Sequence, residues 1–477
     1  MTEHAIPGSA DGASKREQRG QASNRRSSWN PHNWRLPLLL LLAGVVFCQA
    51  CWLAYLTPNE PDILHYECYG LTFWLGGHAT TLLPAHTCAF LFQGLPTSSA
   101  PSALPFHMLP SEYPPLTVLL FSLPLLVPLP WYALAFVCMM TLIAGLLYWL
   151  LARSQARQAA PVFLLYLLLG TIGLFQERFD LLPAACTLIC VLSAQRGRWP
   201  VAYMALALGA LLKLYPLLML PALWLAEQHA RPAEMCQEKA WLTRIQNYLQ
   251  RWRNCLLCSA LLFVVMGGFA LLNMQDALIS PLHYFLARPI QIEALSGSLL
   301  WSASHLGIPY TIDFSFGSLN LESWLSPWIS PCATLLMLSG LFYLFWLQYR
   351  RRIDLLQAMV GLVCMLLVTG KVFSPQYLLW LIPLLAYLCA RGQTNRLWMA
   401  CWATISALST VIYIAYYSRL TAPRLDAQLV QTFTGFFELI VLRNVLVLIA
   451  TLAFLGGWWG VRRPAQPAGP SWRARPR

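Results

Sequence analysis

The chain has 477 residues, of which 58% are hydrophobic and 11% charged, against roughly 25% charged in a soluble globular protein. So little charge cannot cover an aqueous surface, and the apolar residues come in long runs, so the chain reads as a multi-pass integral membrane protein. The net charge of +13 sits at the two ends and between the apolar runs (Lys15, Arg16, Arg19, Arg25, Arg26; Arg350, Arg351, Arg352; Arg462 to Arg477). That is the positive-inside pattern of cytoplasmic loops, and it leaves no basic surface domain to carry nucleic acid.

In chain order, residues 1–33 are Ser/Gly/Arg-rich and read as a disordered basic cytoplasmic tail. The membrane domain is assigned to 34–462. Its first span, Leu36–Leu56, meets the need for about 20 apolar residues and is too long for the apolar core of a signal peptide. Residues 57–113 then form a first external loop. Its aromatics (Tyr66, Tyr69, Phe73, Trp74, Phe90, Phe92) predict short interfacial helices. Cys68 and Cys88 share that loop and can pair there if the compartment is oxidising. Eleven of the fourteen cysteines fall inside apolar runs, where Cys acts as a small hydrophobe. Cys255 and Cys258 lack the second pair or histidines that zinc requires.

Five segments follow, near 114–129, 131–152, 161–176, 180–195 and 200–226, several of them interrupted by proline. Threading all five would put Arg196 and Arg198 outside, against the charge rule. Broken helices are tolerated where they line a cavity, so the working site is expected in this region. The connector 227–253 is basic, amphipathic and expected in the cytoplasm. After a span at 255–273 comes a second external loop, 275–325. Further spans are predicted over 327–347, 355–369, the stretch between Gln376 and Arg391, 397–417 and 436–459, before a basic cytoplasmic tail at 463–477. The runs are Leu/Ala-rich and do not alternate, so the fold class is all-α with about 12 transmembrane helices rather than a barrel. No internal repeat of the transporter kind is visible.

Ionisable groups at membrane depth or at span mouths are costly and therefore functional candidates. Asp62, Glu112, His283, Arg288, Glu293 and Lys371 all fall on the external face in this topology. Asp62, with Tyr66 one helical turn later, is placed to take a proton from a hydroxyl. It reads equally as a solvated or capping residue beyond Pro61, and Glu60 is near enough to replace it. Arg288 and Lys371 suit phosphate or simple snorkelling to headgroups. Lys213, flanked by apolar residues, faces either the cavity or the inner interface. Arg178 and Asp180 read most simply as an ion pair closing a turn.

Five strings then occur together and in order: Glu112-Tyr113-Pro114-Pro115-Leu116, Arg178-Phe179-Asp180-Leu181-Leu182-Pro183, Leu212-Lys213-Leu214-Tyr215-Pro216-Leu217, Arg288-Pro289-Ile290-Gln291-Ile292-Glu293 and Phe373-Ser374-Pro375-Gln376-Tyr377-Leu378-Leu379-Trp380. In these the chain resembles the polyprenyl-phosphate-mannose-dependent mannosyltransferases of glycosyltransferase family 87, in the GT-C superfamily, over about residues 35–460. The resemblance implies a plasma-membrane GT-C bundle with cytoplasmic termini and an extracytoplasmic active site. Such an enzyme moves a hexose, mannose or a relative, from a polyprenyl-phosphate donor to a glycolipid, glycan or protein acceptor, with inversion. It implies Asp62 as base, with Arg288, Lys371 and His283 on the donor phosphate. Glu112, Tyr113, Glu293, Gln376 and Tyr377 would line the sugar or orient those cations.

The chemistry is coherent. A phosphate leaving group needs waiting positive charge rather than a general acid, so one carboxylate suffices where a glycosidase uses two. No Asp-x-Asp motif suggests a nucleotide sugar held through a metal, and no cofactor is expected, with a divalent metal left open. The other readings are a transporter of lipids or lipid-linked sugars, and a ligase joining a lipid-linked glycan to an acceptor. Polar groups spread through the midplane would favour transport; clustering at one external face favours the enzyme.

Overall fold

The computed structural model describes residues 61–83, 87–92, 104–172, 174–231, 241–417, 430, 432–458 and 460. The expected first span, both basic tails and Glu60 lie outside the described residues. What is described is a helical membrane protein. Among the described residues, five helices are long and apolar enough to cross a bilayer: Leu129–Ala152, Gln250–Leu272, Ser326–Tyr349, Arg396–Tyr417 and Phe436–Leu455. Six further apolar helices are shorter, at 10–17 residues.

The described chain opens with α1 (Pro61–Leu75), started by proline at a position where its missing N–H costs nothing. Two short 3₁₀ turns follow, Gly76–Thr81 and Ala89–Phe92, so the 57–113 stretch does hold short helices. Cys68 and Cys88 are joined by a disulfide across it. Next come α2 (Thr117–Ser122), α3 (Tyr132–Ala152), α4 (Ala159–Thr171) and α5 (Leu181–Gln195). The segment expected over 200–226, with an interruption at Pro216, is two helices, α6 (Trp199–Leu212) and α7 (Leu220–Ala230). The cause is Pro216, which has no N–H for the ladder; Lys213 leaves the helix in an extended conformation and a 3₁₀ turn, Tyr215–Met219, bridges the gap. The expected connector and the next span are partly one helix, α8 (Trp241–Leu272, 32 residues).

The second loop carries more order than expected. It holds α9 (Ser280–Ala287), β1 (Ile290–Gln291), α10 (Leu295–Ser304), β2 (Thr311–Ser315) and β3 (Ser318–Glu322). The strands form an antiparallel sheet in the order β1-β3-β2, so the fold is helical but not purely so. Phe316 and Gly317, both at positive φ, turn β2 into β3 with the handedness a two-residue hairpin needs. The chain ends its described course with α11 (Ser326–Tyr349), α12 (Leu355–Thr369), α13 (Leu378–Ala390), α14 (Arg396–Ile412) and α15 (Phe436–Leu455). In α13 every residue from Leu378 to Cys389 is buried, because it packs on α4, α5 and α12 at the centre of the bundle.

What fixes α1 against the bundle is aromatic. Tyr66 stacks on Phe121 of α2 at 4.4 Å, meets Phe136 of α3 at 5.3 Å, and takes the edge of Phe179 at 5.7 Å. Gly70 lets α1 and α2 approach: a Cβ there would stand 2.9 Å from the Phe121 carbonyl. Asp62, on the first turn of α1, is thereby held against the segment that carries Phe179.

Glu67, on the same helix, is buried, and burial alone pushes its carboxyl up from 4.5 to about 7. The ionised form therefore opposes folding. The stability this group contributes is full below its unfolded pKa and is lost as pH rises through about 7. Glu67→Gln should melt at a higher temperature than the wild type near pH 8, by on the order of 2 kcal/mol of stability, and at the same temperature near pH 4. Thermal melts of the detergent-solubilised protein at the two pH values check this; equal melting near pH 8 would remove the buried charge as a cost.

Candidate active site

The turn between α4 and α5 presents Arg178 and Asp180 in opposite senses. Arg178 forms an ion pair with Asp62 of α1. Asp180 precedes α5 but does not cap it; its Oδ1 accepts from Lys213 Nζ at 2.5 Å and from Trp380 Nε1 at 2.6 Å. The expected Arg178–Asp180 pair is therefore not formed. Each residue instead bonds to a distant segment, because side chains two apart on a turn do not face one another.

Lys213 stands at the break between α6 and the following 3₁₀ turn. Four rings surround its ammonium: Phe179 at 5.0 Å, Trp380 at 5.3 Å, Tyr113 at 5.6 Å and Tyr377 at 5.7 Å. All lie within the range at which a cation is attracted to a ring face. Trp380 is itself sandwiched, 4.3 Å from Tyr215 and 4.1 Å from Tyr377. The Tyr215–Trp380–Tyr377 stack fixes the indole so that its N–H points at Asp180.

Glu112 completes the cluster from the loop before α2. Burial raises its carboxyl above the ordinary range, while the nearby charges of Arg288, Arg178 and Lys213 pull it back and Asp62 pushes it further up. Arg288 follows α9; it lies 5.4 Å over the Tyr284 ring and donates to Ser318 Oγ at 3.1 Å. Three acids (Asp62, Glu112, Asp180) and three bases (Arg178, Lys213, Arg288) thus share one site. Asp180 Oδ2 and Arg288 Nε are buried there, and Gln376 Oε1 next to Tyr377 in the chain, with no hydrogen-bond partner among the described residues. Buried polar atoms of this kind are costly and call for an explanation; a polar ligand would satisfy them.

Arg288 also borders a second space, a cavity of about 310 Å³ lined by Arg288, Lys371, Glu322, Ser323, Ser326 and Ser330 among others. Lys371 reaches it with its amine donating to the Leu286 carbonyl at 3.1 Å. The backbone of Lys371 accepts from Gln291 N–H at 2.9 Å, which ties the start of the 371–377 turn to β1.

Of the expected site residues, Asp62, Glu112, Tyr113, Arg288 and Tyr377 belong to these two spaces or their walls, Lys371 lines the cavity, and Gln376 stands beside Tyr377 in the turn Pro375–Tyr377. Two lie elsewhere. His283 is exposed on α9. The histidine beside the charged cluster is His65, one turn after Asp62, whose imidazole burial pushes down while Asp62 pulls it up. Glu293 is fully buried in an ion pair with Arg443 of α15 at 2.6 Å. Arg443 also donates to the Glu293 carbonyl at 2.8 Å and lies 4.2 Å over the Phe373 ring. Glu293 therefore braces the loop instead of lining it. Arg443 and Trp380 are the residues that reading the sequence passed over. The signal for Arg443 was present: a lone arginine inside the apolar run 436–459.

Searched against models of protein families and against curated proteins, the chain matches none.

Proposed function

We propose that this protein is an inverting membrane glycosyltransferase of the GT-C kind, taking a hexose, mannose or a relative, from a polyprenyl phosphate. The observation that carries the reading is convergence. Segments 112–116, 178–183, 212–217, 288–291 and 374–380, scattered over some 270 residues of sequence, contribute to one charged and aromatic site and the cavity adjoining it. The Cys68–Cys88 bond in the loop carrying Asp62 supports an oxidising, extracytoplasmic location for that site. The reading takes the membrane to be the plasma membrane, with the chain crossing it about twelve times and both termini in the cytoplasm.

In the reaction, the acceptor hydroxyl attacks the anomeric carbon as the bond from that carbon to the phosphate oxygen breaks. The hydroxyl proton passes to the Asp62 carboxylate. The electron pair of the broken bond leaves on polyprenyl phosphate, whose growing negative charge Arg288 and Lys371 stabilise by standing ready for it. The rings of Tyr377 and Tyr113, beside Lys213, offer apolar faces to the sugar. One carboxylate on the far side of the sugar gives single displacement, hence inversion.

The test is transfer by purified protein in detergent, supplied with synthetic polyprenyl-phosphate mannose and mixed membrane glycolipids, with the product analysed by mass spectrometry and NMR. The expected product is a mannosylated acceptor of inverted anomeric configuration. Transfer from a nucleotide sugar alone would overturn the donor assignment, and retained configuration would overturn the mechanism. Movement of the lipid-linked sugar across vesicles without a new glycosidic bond would point to a transporter.

A further inference from the structure

The ion pairs of the site are not equivalent. Asp180 is almost wholly buried, at 1% exposure, and has two donors, Lys213 and Trp380. Asp62 is 25% exposed and Arg178 19%, and among the described residues Arg178 is the one group that binds the Asp62 carboxylate. A buried carboxylate with two donors is hard to separate from them, whereas the partly exposed Asp62–Arg178 pair is reached by water and incoming ions and exchanges at a lower cost. Arg178 also lies within electrostatic reach of Glu112 and Lys213, and Arg288 acts on those same two groups. An anion entering beside Arg288 therefore meets Arg178 as the cation whose present partner is easiest to displace. A guanidinium binds a phosphate through paired N–H donors, and the donor, a phosphodiester, brings one negative charge that can replace that of Asp62.

We propose that Arg178 is exchanged between two partners: it holds Asp62 while the donor is absent and passes to the donor phosphate when the donor binds. The exchange rests on the polyprenyl-phosphate reading above. Its effect is to couple the two halves of the site. While paired, Asp62 spends its lone pairs on the guanidinium; once released, it is free to accept the acceptor's proton. Donor binding thus precedes activation of the base. Arg178 is a positioning residue for Asp62 and a ligand for the phosphate, a role that the simple turn-closing pair would not give it.

The experiment measures the affinity of sugar-free polyprenyl phosphate for the full-length protein in detergent, followed by intrinsic tryptophan fluorescence or thermophoresis. Wild type, Asp62→Asn, Arg178→Gln, Arg178→Lys and the double variant Asp62→Asn with Arg178→Gln are compared, each first shown by its melting curve to be folded. Removing the competing carboxylate should tighten binding in Asp62→Asn by about 5- to 20-fold. Arg178→Gln should weaken it by tenfold or more, with Arg178→Lys in between. In the Arg178→Gln background the Asp62→Asn gain should vanish, since there is no longer a guanidinium to release. A structural role for Arg178 predicts no gain from Asp62→Asn at all. The proposal fails if Asp62→Asn binds no more tightly than wild type, or if its gain persists without Arg178, which would make it a general relief of negative charge. If no form binds polyprenyl phosphate, the donor assignment itself falls and the exchange falls with it.

Discussion

Asp62→Asn is expected to lower the rate of sugar transfer by about 10²–10⁴-fold, the usual worth of a positioned general base, with the fold intact. Asparagine has the same shape and still fits the first turn of α1 beside Arg178, but it cannot take a proton at working pH. The loss should therefore fall on turnover and not on donor capture, which the inference above expects to improve. Glu60→Gln is the companion variant, because Glu60 stands two residues away in sequence. If Asp62→Asn is inactive and Glu60→Gln is not, the base is assigned. If the two results are reversed, Glu60 is the base and Asp62 serves only to hold Arg178. Initial rates at saturating donor, with product counted by mass spectrometry, separate the cases.

The second large effect is on stability. Arg443→Met should destabilise the protein by about 3–5 kcal/mol, because it leaves a buried carboxylate without its counter-charge. Both partners are essentially inaccessible, at 0% and 1%. Arg443 also satisfies the Glu293 carbonyl, as does Asn444 Nδ2 at 2.9 Å, so the loss spreads to the loop backbone. Because Gln291, two residues before Glu293, is hydrogen-bonded to Lys371, the cavity wall should loosen and transfer should fall together with the melting temperature. The double variant Arg443→Met with Glu293→Leu removes both charges and should recover most of the lost stability. Failure of the second change to rescue the first would mean that packing on Phe373, and not charge, is what Arg443 provides.

Membrane character was legible residue by residue, since the cost of placing a side chain in hydrocarbon is a local property that a run of Leu and Ala declares. The boundaries of α12, the start of α14 and the break at Pro216 follow from such local chemistry. Pairing is not local. Arg178 and Asp180 sit two apart, which suggested that they meet; their directions on a turn, with Tyr66 of α1 packed on Phe179 on one side and Lys213 and Trp380 bonded to Asp180 on the other, decided otherwise. Glu293 looked like part of a site because it ends a string that begins with Arg288, yet a strand of two residues is enough to turn it inward towards α15. The sheet itself was missed because β2 and β3 are five residues each and their turn contains only one glycine. Trp380 lay inside a string already singled out. Only the three-dimensional stack reveals that its indole N–H is spent on Asp180.

The Lys213–Asp180–Trp380 contact also bears on how such a protein can diverge. Any one change strands a charge or a donor in the interior, at a cost comparable with a large part of the 5–15 kcal/mol by which folded proteins are stable. The three positions are therefore bound to one another across generations: a descendant that loses Lys213 is viable only if Asp180 becomes neutral as well. Among natural relatives these residues should change in concert or not at all, while the exposed Val201, Met204 and Leu208 of α6 drift freely.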